Sequence, residues 1–352
     1  MLVAKTKKHN LIFKQPGGTS RGVLKSKDSW YILVFDSDYP DIKGIGECSL
    51  LRGLSIDDRP DFEQKLQEVC NNIENWQHWL LEGLIDFPAI RFGLEMAIKD
   101  LSEGGSGIMF PSNFTDSTDS IPINGLVWMG DYLSMRKRII EKIESGYNCI
   151  KVKIGAINFD DELNLLRLIR NDFSNKDIEL RLDANGAFLP NEALDKLGRL
   201  SEFEIHSIEQ PIKQHQWEQL AHICNSSPIP VALDEELIGI NRRSTVKQLL
   251  ETVTPQYIIL KPSLLGGWKQ SNMFIEEAEN YNIGWWVTSA LEANIGLNAI
   301  AQWVYTLNNK MHQGLGTGQL FTNNIPSPLF IKNAHLRYNN KETWNITSLF
   351  ND

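Results

Sequence analysis

Lys151 and Lys153, Asp183, Glu209, Asp234 and Lys261 stand at the ends of short apolar runs that recur along the middle of the chain. From Lys153 the successive steps to the three acids and then to Lys261 are 30, 26, 25 and 27 residues. A strand, a helix and two loops take roughly 30 residues. The spacing therefore predicts consecutive parallel strands, each delivering one polar group at its C-terminal end, where barrel enzymes keep their chemistry.

The residue types suggest what that chemistry is. Lys151 and Lys153 are two apart on an apolar strand and so share a face. On a barrel interior, burial and like charge would both depress an amine from its usual ~10.4 toward a useful base; on a solvated edge the same two lysines would snorkel outward. One carboxylate ending an apolar run is often a helix N-cap. Three in successive units, Asp183, Glu209 and Asp234, are better read as ligands converging on one mouth. An oxygen-only set with no His or Cys at matching positions suits Mg²⁺, with Mn²⁺ as a substitute, rather than zinc. Glu235, next to Asp234, turns to the other face, caps the following helix or supports the ligands. Asn185 either orients ligand or substrate or serves the Asn185-Gly186 turn. Lys261 falls across a closed barrel from Lys153. Alone it reads as a rim lysine paired with an acid. In this set, two cations flanking a metal-held carboxylate suit proton transfer at an α-carbon, one as base and the other helping the metal to stabilise an enediolate.

Positioning these groups requires a repeated scaffold. Candidate strands begin near Ile121, Asn148, Ile178, Ile205, Ile229, Tyr257, Gly284 and His312, with helical patterns between them such as Tyr132–Ser145, Asp160–Asp172 and 191–200. Eight strands and seven helices predict an α/β fold, a (β/α)7β modified TIM barrel, rather than an open doubly wound sheet. Neither G-x-G-x-x-G after the first strand nor a phosphate-binding P-loop motif occurs. There is no G-x-S-x-G elbow, and the seven histidines share no triad or ligand spacing. Ahead of the barrel, a β-type run (Trp30–Phe35), a possible meander closure at Gly44–Cys48 and helical patterns over Phe62–Leu81 and Ala89–Leu101 predict an α+β capping domain. The Gly/Ser/Thr/Asp-rich stretch from Gly104 to Ser120 reads as a linker. The expected domains are 1–117, 118–318 and a segment 319–352 that returns to the cap.

The 352 residues suffice for one barrel and a smaller domain. A net charge of −9 argues against nucleic acid or an anionic membrane as the main partner. The four cysteines show no metal-finger or C-x-x-C spacing and read as reduced. No signal-peptide core and no run of ~18 apolar residues is seen, so a cytoplasmic protein is expected.

The set Lys151/Lys153, Asp183, Glu209, Asp234, Lys261 resembles the enolase superfamily, and within it the muconate-lactonizing subgroup, marked by K-x-K on the second strand, Asp, Glu and Asp on the next three and Lys on the sixth. The superfamily's pairing of a lysine base with Mg²⁺ is a worked case in general accounts of pKa tuning. Thr19–Leu24 resembles the subgroup's mobile lid, Gly46–Cys48 and Arg91–Glu95 its capping-domain signatures, and Thr288–Glu292 and Gly314–Gly318 its last two barrel strands. The compact lid, Gly46–Ser55 and Gly314–Phe321 resemble members that eliminate water from a cyclohexadiene carboxylate. The resemblance implies a small-molecule carboxylate substrate and Mg²⁺ on Asp183, Glu209 and Asp234. It makes Lys153 the acid and base, Lys261 a charge on the opposite face, and Lys151 a neighbour that lowers the pKa of Lys153 and touches the carboxylate. Ser289, Thr19, Ser20 and Arg21 are candidate contacts to the substrate side arm. Racemisation or dipeptide epimerisation would use the same lysines; against the latter, the Asp-x-Asp that grips a peptide amine is missing from Thr288–Gly296. A barrel that only binds a ligand would be expected to have lost one of these groups. The residues fix no oligomeric state.

Overall fold

The computed structural model describes residues 1–19, 22–344, 349 and 350. The chain opens with an antiparallel meander of β1 (Leu2–Thr19), β2 (Gly22–Asp36) and β3 (Tyr39–Ser49), followed by α1 (Phe62–Asn71) and α2 (Pro88–Ser102). Both faces of the meander are covered, which is why Trp30–Phe35 is apolar without a polar alternate. Trp30, Ile32 and Val34 pack with Phe62, Leu66 and Leu94 of the helices. Tyr31 and Leu33 face the other way, onto Leu291, Ile295 and Phe321. Gly46 lets β3 touch α2: a Cβ there would lie 1.8 Å from the Gly93 carbonyl oxygen.

Two local expectations need correction. The helix expected over Phe62–Leu81 stops at Asn71 and continues as a 3₁₀ turn (Ile73–Asn75) and a wide turn at Trp79–Gly83. Asn72 causes the stop, since its side-chain amide donates back to the Glu68 carbonyl at 2.9 Å and so competes with helix continuation. The stretch Gly104–Ser120 lacks helix and strand but is not a loose linker. Gln302 Oε1 accepts from the Met109 and Phe110 amides, Asn298 and Gln302 donate to the Gly107 carbonyl, and Met109 and Phe114 are buried.

The first expected strand divides in two. β4 (Ile121–Pro122) joins a small antiparallel sheet with the C-terminal hairpin, and β5 (Gly125–Val127) begins the barrel. Then follow α3 (Tyr132–Glu144), β6 (Cys149–Lys153), α4 (Phe159–Asp172), β7 (Glu179–Asp183), α5 (Pro190–Leu200), β8 (Ser207–Glu209), α6 (Trp217–Ser226), β9 (Val231–Leu233), α7 (Arg243–Val253), β10 (Tyr257–Leu260), α8 (Trp268–Asn280), β11 (Gly284–Val287) and α9 (Asn294–Thr306). Strands β5 to β11 form one parallel sheet in sequence order. The eighth position is held by Gln313 and Gly314, which bridge in parallel to Ile123 on one side and Thr288 on the other. The Gly314 amide donates to the Val287 carbonyl and the Gln313 amide to that of Pro122, closing the barrel. Past it, Lys14 and Thr322 exchange backbone bonds with Leu320 and Ile12, and β12 (Leu329–Lys332) and β13 (His335–Tyr338) form the hairpin that meets β4.

Candidate active site

Strand register puts the chemistry on one face. Lys153, Asp183 and Glu209 are directly paired across β6, β7 and β8. Glu209 pairs with Ala232, so Asp234, two residues further, shares its face. Leu233 pairs with Ile258, which places Ile259 beside Asp234 and Lys261 again two residues beyond. The polar groups thus climb by one pleat at β9 and at β10, the stagger that a closed barrel requires. One layer below, Arg181 lies beside Lys151 in register and stacks 4.2 Å over the Trp286 ring, filling the barrel floor.

Lysines and acids interlock at the mouth. Lys151 Nζ lies 3.0 Å from Asp183 Oδ2 and bonds Glu209 Oε2. Lys153 Nζ donates to Asp183 Oδ2 at 2.9 Å and to Asn185 Oδ1 at 2.6 Å. Lys261 bonds Asp234 Oδ2 and sits 4.0 Å from Glu209 Oε1. Burial penalises the ammonium of Lys151, but Asp183, Glu209 and Asp234 outweigh it and hold its pKa above the usual lysine value. Burial likewise opposes the charge on Lys261, and Asp234, Glu209 and Glu235 outweigh it. The expectation of a depressed lysine pair is therefore wrong for Lys151, whose carboxylate partners are in direct contact. Burial and the charge of Asp183 push Glu209 well above the carboxylate range. Asp183 and Asp234 are held low, because Lys151 at the first and Lys261 at the second overcome their burial.

The donor set fits a hard divalent cation. It offers three carboxylates, and Glu209 Oε1 is buried without a hydrogen-bond partner among the described residues. In this structure the ammonium groups of Lys151 and Lys261 sit among the acids. Among the described residues, the three potential ligand atoms that do lie within 4.8 Å of one another are those of Cys149, Glu179 and His312 on the barrel floor. There Glu179 Oε1 is already held by Arg181 Nε at 2.7 Å.

A cavity of about 330 Å³ opens over this set. Lys151, Lys153, Asp183, Asn185 and Lys261 line it from the barrel, and Leu24, Leu51 and Arg52 from the cap. Asn185 bonds both Lys153 and, through Nδ2 at 3.0 Å, Glu235 Oε1, so Glu235 supports the site from behind. Ser289 lines the cavity wall, but its hydroxyl is bonded to Glu292 Oε2 at 2.5 Å. Thr19 ends β1; its side chain, Ser20 and Arg21 lie outside the described residues. Sequence reasoning missed Trp128, whose ring lies 6.0 Å from Lys153 Nζ, and Arg138, which braces the Trp128 carbonyl at 3.1 Å. Trp128 follows the first barrel strand, and that position was its one available signal. Glu292 was also missed as a buried anchor, since nothing in the sequence ties it to Ser289.

The family described as Enolase C-terminal domain-like matches residues 134–342. The chain belongs to the enolase superfamily. It is 45% identical to the o-succinylbenzoate synthase of Desulfotalea psychrophila, over 92% of this chain and 96% of that one. The crystal structure of MenC from the same organism superposes with a TM-score of 0.84 at 42% identity, covering 96% and 99% of the two chains. The crystal structure of a dipeptide epimerase from Enterococcus faecalis V583, complexed with Mg and a dipeptide, shares the fold with a TM-score of 0.81 at 18% identity, covering 96% of each chain. No described helix is long and apolar enough to cross a membrane.

Proposed function

We propose that this chain is an o-succinylbenzoate synthase. It would dehydrate 2-succinyl-6-hydroxy-2,4-cyclohexadiene-1-carboxylate (SHCHC) to o-succinylbenzoate in menaquinone (vitamin K2) biosynthesis in the cytoplasm, a hydro-lyase reaction. The observation that carries the reading is the pair Lys153 and Lys261 lining one cavity, each hydrogen-bonded to a carboxylate, in a chain 45% identical to a named synthase. Asp183, Glu209 and Asp234 would hold Mg²⁺, or Mn²⁺ in its place. When bound, the ion supplies positive charge to the substrate carboxylate and to the electrons that gather there.

Lys153, aimed by Asp183 and Asn185, takes the α-proton as the neutral amine; the C–H bond breaks and its electrons move toward the ring carboxylate. Lys261 remains an ammonium and stabilises that charge from the other face. Lys151 contacts the carboxylate from below. Lys153, now protonated, returns the proton to the departing hydroxyl on the same face. The C–O bond breaks, water leaves and the ring becomes aromatic, a net syn elimination. Side-arm contacts fall to the lid residues Thr19, Ser20 and Arg21.

The reading is tested by following SHCHC absorbance and product mass with purified protein, first in Mg²⁺ and then in excess EDTA. EDTA-sensitive conversion to o-succinylbenzoate is expected. Intact SHCHC in Mg²⁺ would remove the synthase reading.

A further inference from the structure

Between the last two barrel strands, a buried carboxylate controls which hydrogen-bonding groups the cavity wall can offer. Glu292 is fully buried and receives three donors: Ser263 Oγ at 2.5 Å on Oε1, and Ser289 Oγ at 2.5 Å and the Ala290 amide at 2.7 Å on Oε2. A carboxylate only accepts, so the Ser289 proton points at Glu292. Both lone pairs of Ser289 are then taken, one by Thr317 Oγ1–H at 2.7 Å and one by the Leu291 amide at 3.1 Å. Leu291 itself sits in the left-handed backbone region, at φ 62°. A bulky residue held there costs free energy that only surrounding contacts can offset. A hydroxyl has one proton and two lone pairs. Ser289 is therefore saturated inside the wall, and the Thr317 proton is committed to it.

We propose that Glu292 is a positioning residue which, through Ser289, fixes the Thr317 hydroxyl as an acceptor facing the cavity. This rests on the synthase reading and adds a specificity rule to it. The wall formed by Ser289 and Thr317 takes a hydrogen-bond donor of the ligand, such as a hydroxyl, and disfavours a ketone or carboxylate oxygen. In the wild type the ketone and carboxylate oxygens of the ligand therefore gain no hydrogen bond from Ser289 or Thr317. The expectation that Ser289 itself contacts the side arm gives way to this wiring.

Two measurements test it. Neutron diffraction from perdeuterated protein is expected to show deuterons on Ser263 and Ser289 directed at Glu292, and the Thr317 deuteron directed at Ser289. A Thr317 deuteron pointing into the cavity overturns the proposal, and this result does not depend on any substrate. The second is calorimetric binding of o-succinylbenzoate in Mg²⁺. Ser289→Ala frees the Thr317 proton to face the ligand's acceptor oxygens, so binding is expected to tighten about three- to tenfold, the range of one added hydrogen bond. Thr317→Val should erase that gain in the double variant. Glu292→Leu should give the same gain where it folds, and Ser289→Ala carries the test where it does not. Weaker binding by Ser289→Ala would mean that Ser289 touches the ligand directly and overturns the proposal. No binding by the wild type would count against the synthase reading, while the deuteron positions still decide the wiring.

Discussion

Replacing Lys151 with Met removes the ammonium held between Asp183 and Glu209. The three side chains are 6%, 1% and 2% exposed, so bulk solvent screens their charges poorly. Removing one partner of a buried ion pair costs about 3–5 kcal/mol, because the charges left behind are uncompensated. An unfolding entropy of about 2.1 cal/mol/K per residue gives roughly 0.74 kcal/mol/K for a chain of 352 residues. The expected fall in Tm is thus about 4–7 °C, read by scanning calorimetry in EDTA. Lys137→Met is the control. Its side chain is 78% exposed and 3.8 Å from Glu141, and such surface pairs contribute little, so a shift under about 1 °C is expected. In saturating Mg²⁺ the Lys151→Met deficit should shrink, since a divalent cation supplies charge to the same oxygens. A Lys151→Met protein that melts with the wild type in EDTA would refute the account of how this cluster is neutralised. A deficit unchanged by Mg²⁺ would refute the assignment of the carboxylates as its ligands.

Lys153→Ala is expected to lower SHCHC turnover by about 10³-fold or more, the upper range for acid–base groups, with circular dichroism and Mg²⁺ binding retained; substantial remaining activity removes Lys153 as the base. Lys261→Arg should keep more activity than Lys261→Ala, because charge alone is needed there, and equal loss in both would contradict an electrostatic role. Burial pushes Asp57, which accepts from the Ala89 amide at the start of α2, up to about 7. The folded state therefore holds a proton that the unfolded state releases near pH 4, and stability falls as pH rises from about 4 to 7. Asp57→Asn should gain stability relative to wild type at pH 8 and not at pH 4, by urea unfolding; a difference independent of pH would contradict this. Gly46→Ala should leave little soluble protein, since its Cβ would strike the Gly93 carbonyl, and near-wild-type yield and Tm would show that the cap packs otherwise.

The barrel was legible because a parallel strand between helices must be apolar on both faces, so each polar residue ending such a run stood out. Register then required Lys153, Asp183 and Glu209 to meet, with Asp234 and Lys261 on the same face. The charge state was less legible, because the sign of a lysine shift depends on whether an ammonium or a carboxylate lies nearer, and strand parity does not give that distance. The sequence pattern starts an eighth strand near His312, yet that strand is only Gln313 and Gly314, too short to carry an alternating pattern. The order of the stretch after Gly104 is not legible locally, because it comes from Asn298 and Gln302, nearly 200 residues away. Strand position singles out Ser289, but its saturation by Glu292 and Thr317 depends on a turn at Leu291 that no local propensity favours.

The most direct test compares two activities in one preparation of the wild-type chain with Mg²⁺: kcat/KM for SHCHC dehydration and kcat/KM for deuterium exchange into N-succinylamino acids. The lysine pair can serve either reaction, so only the ratio decides. The account predicts dehydration favoured by at least about a hundredfold, some 2.7 kcal/mol of transition-state preference. Exchange at an equal or higher rate, or no dehydration at all, would contradict it.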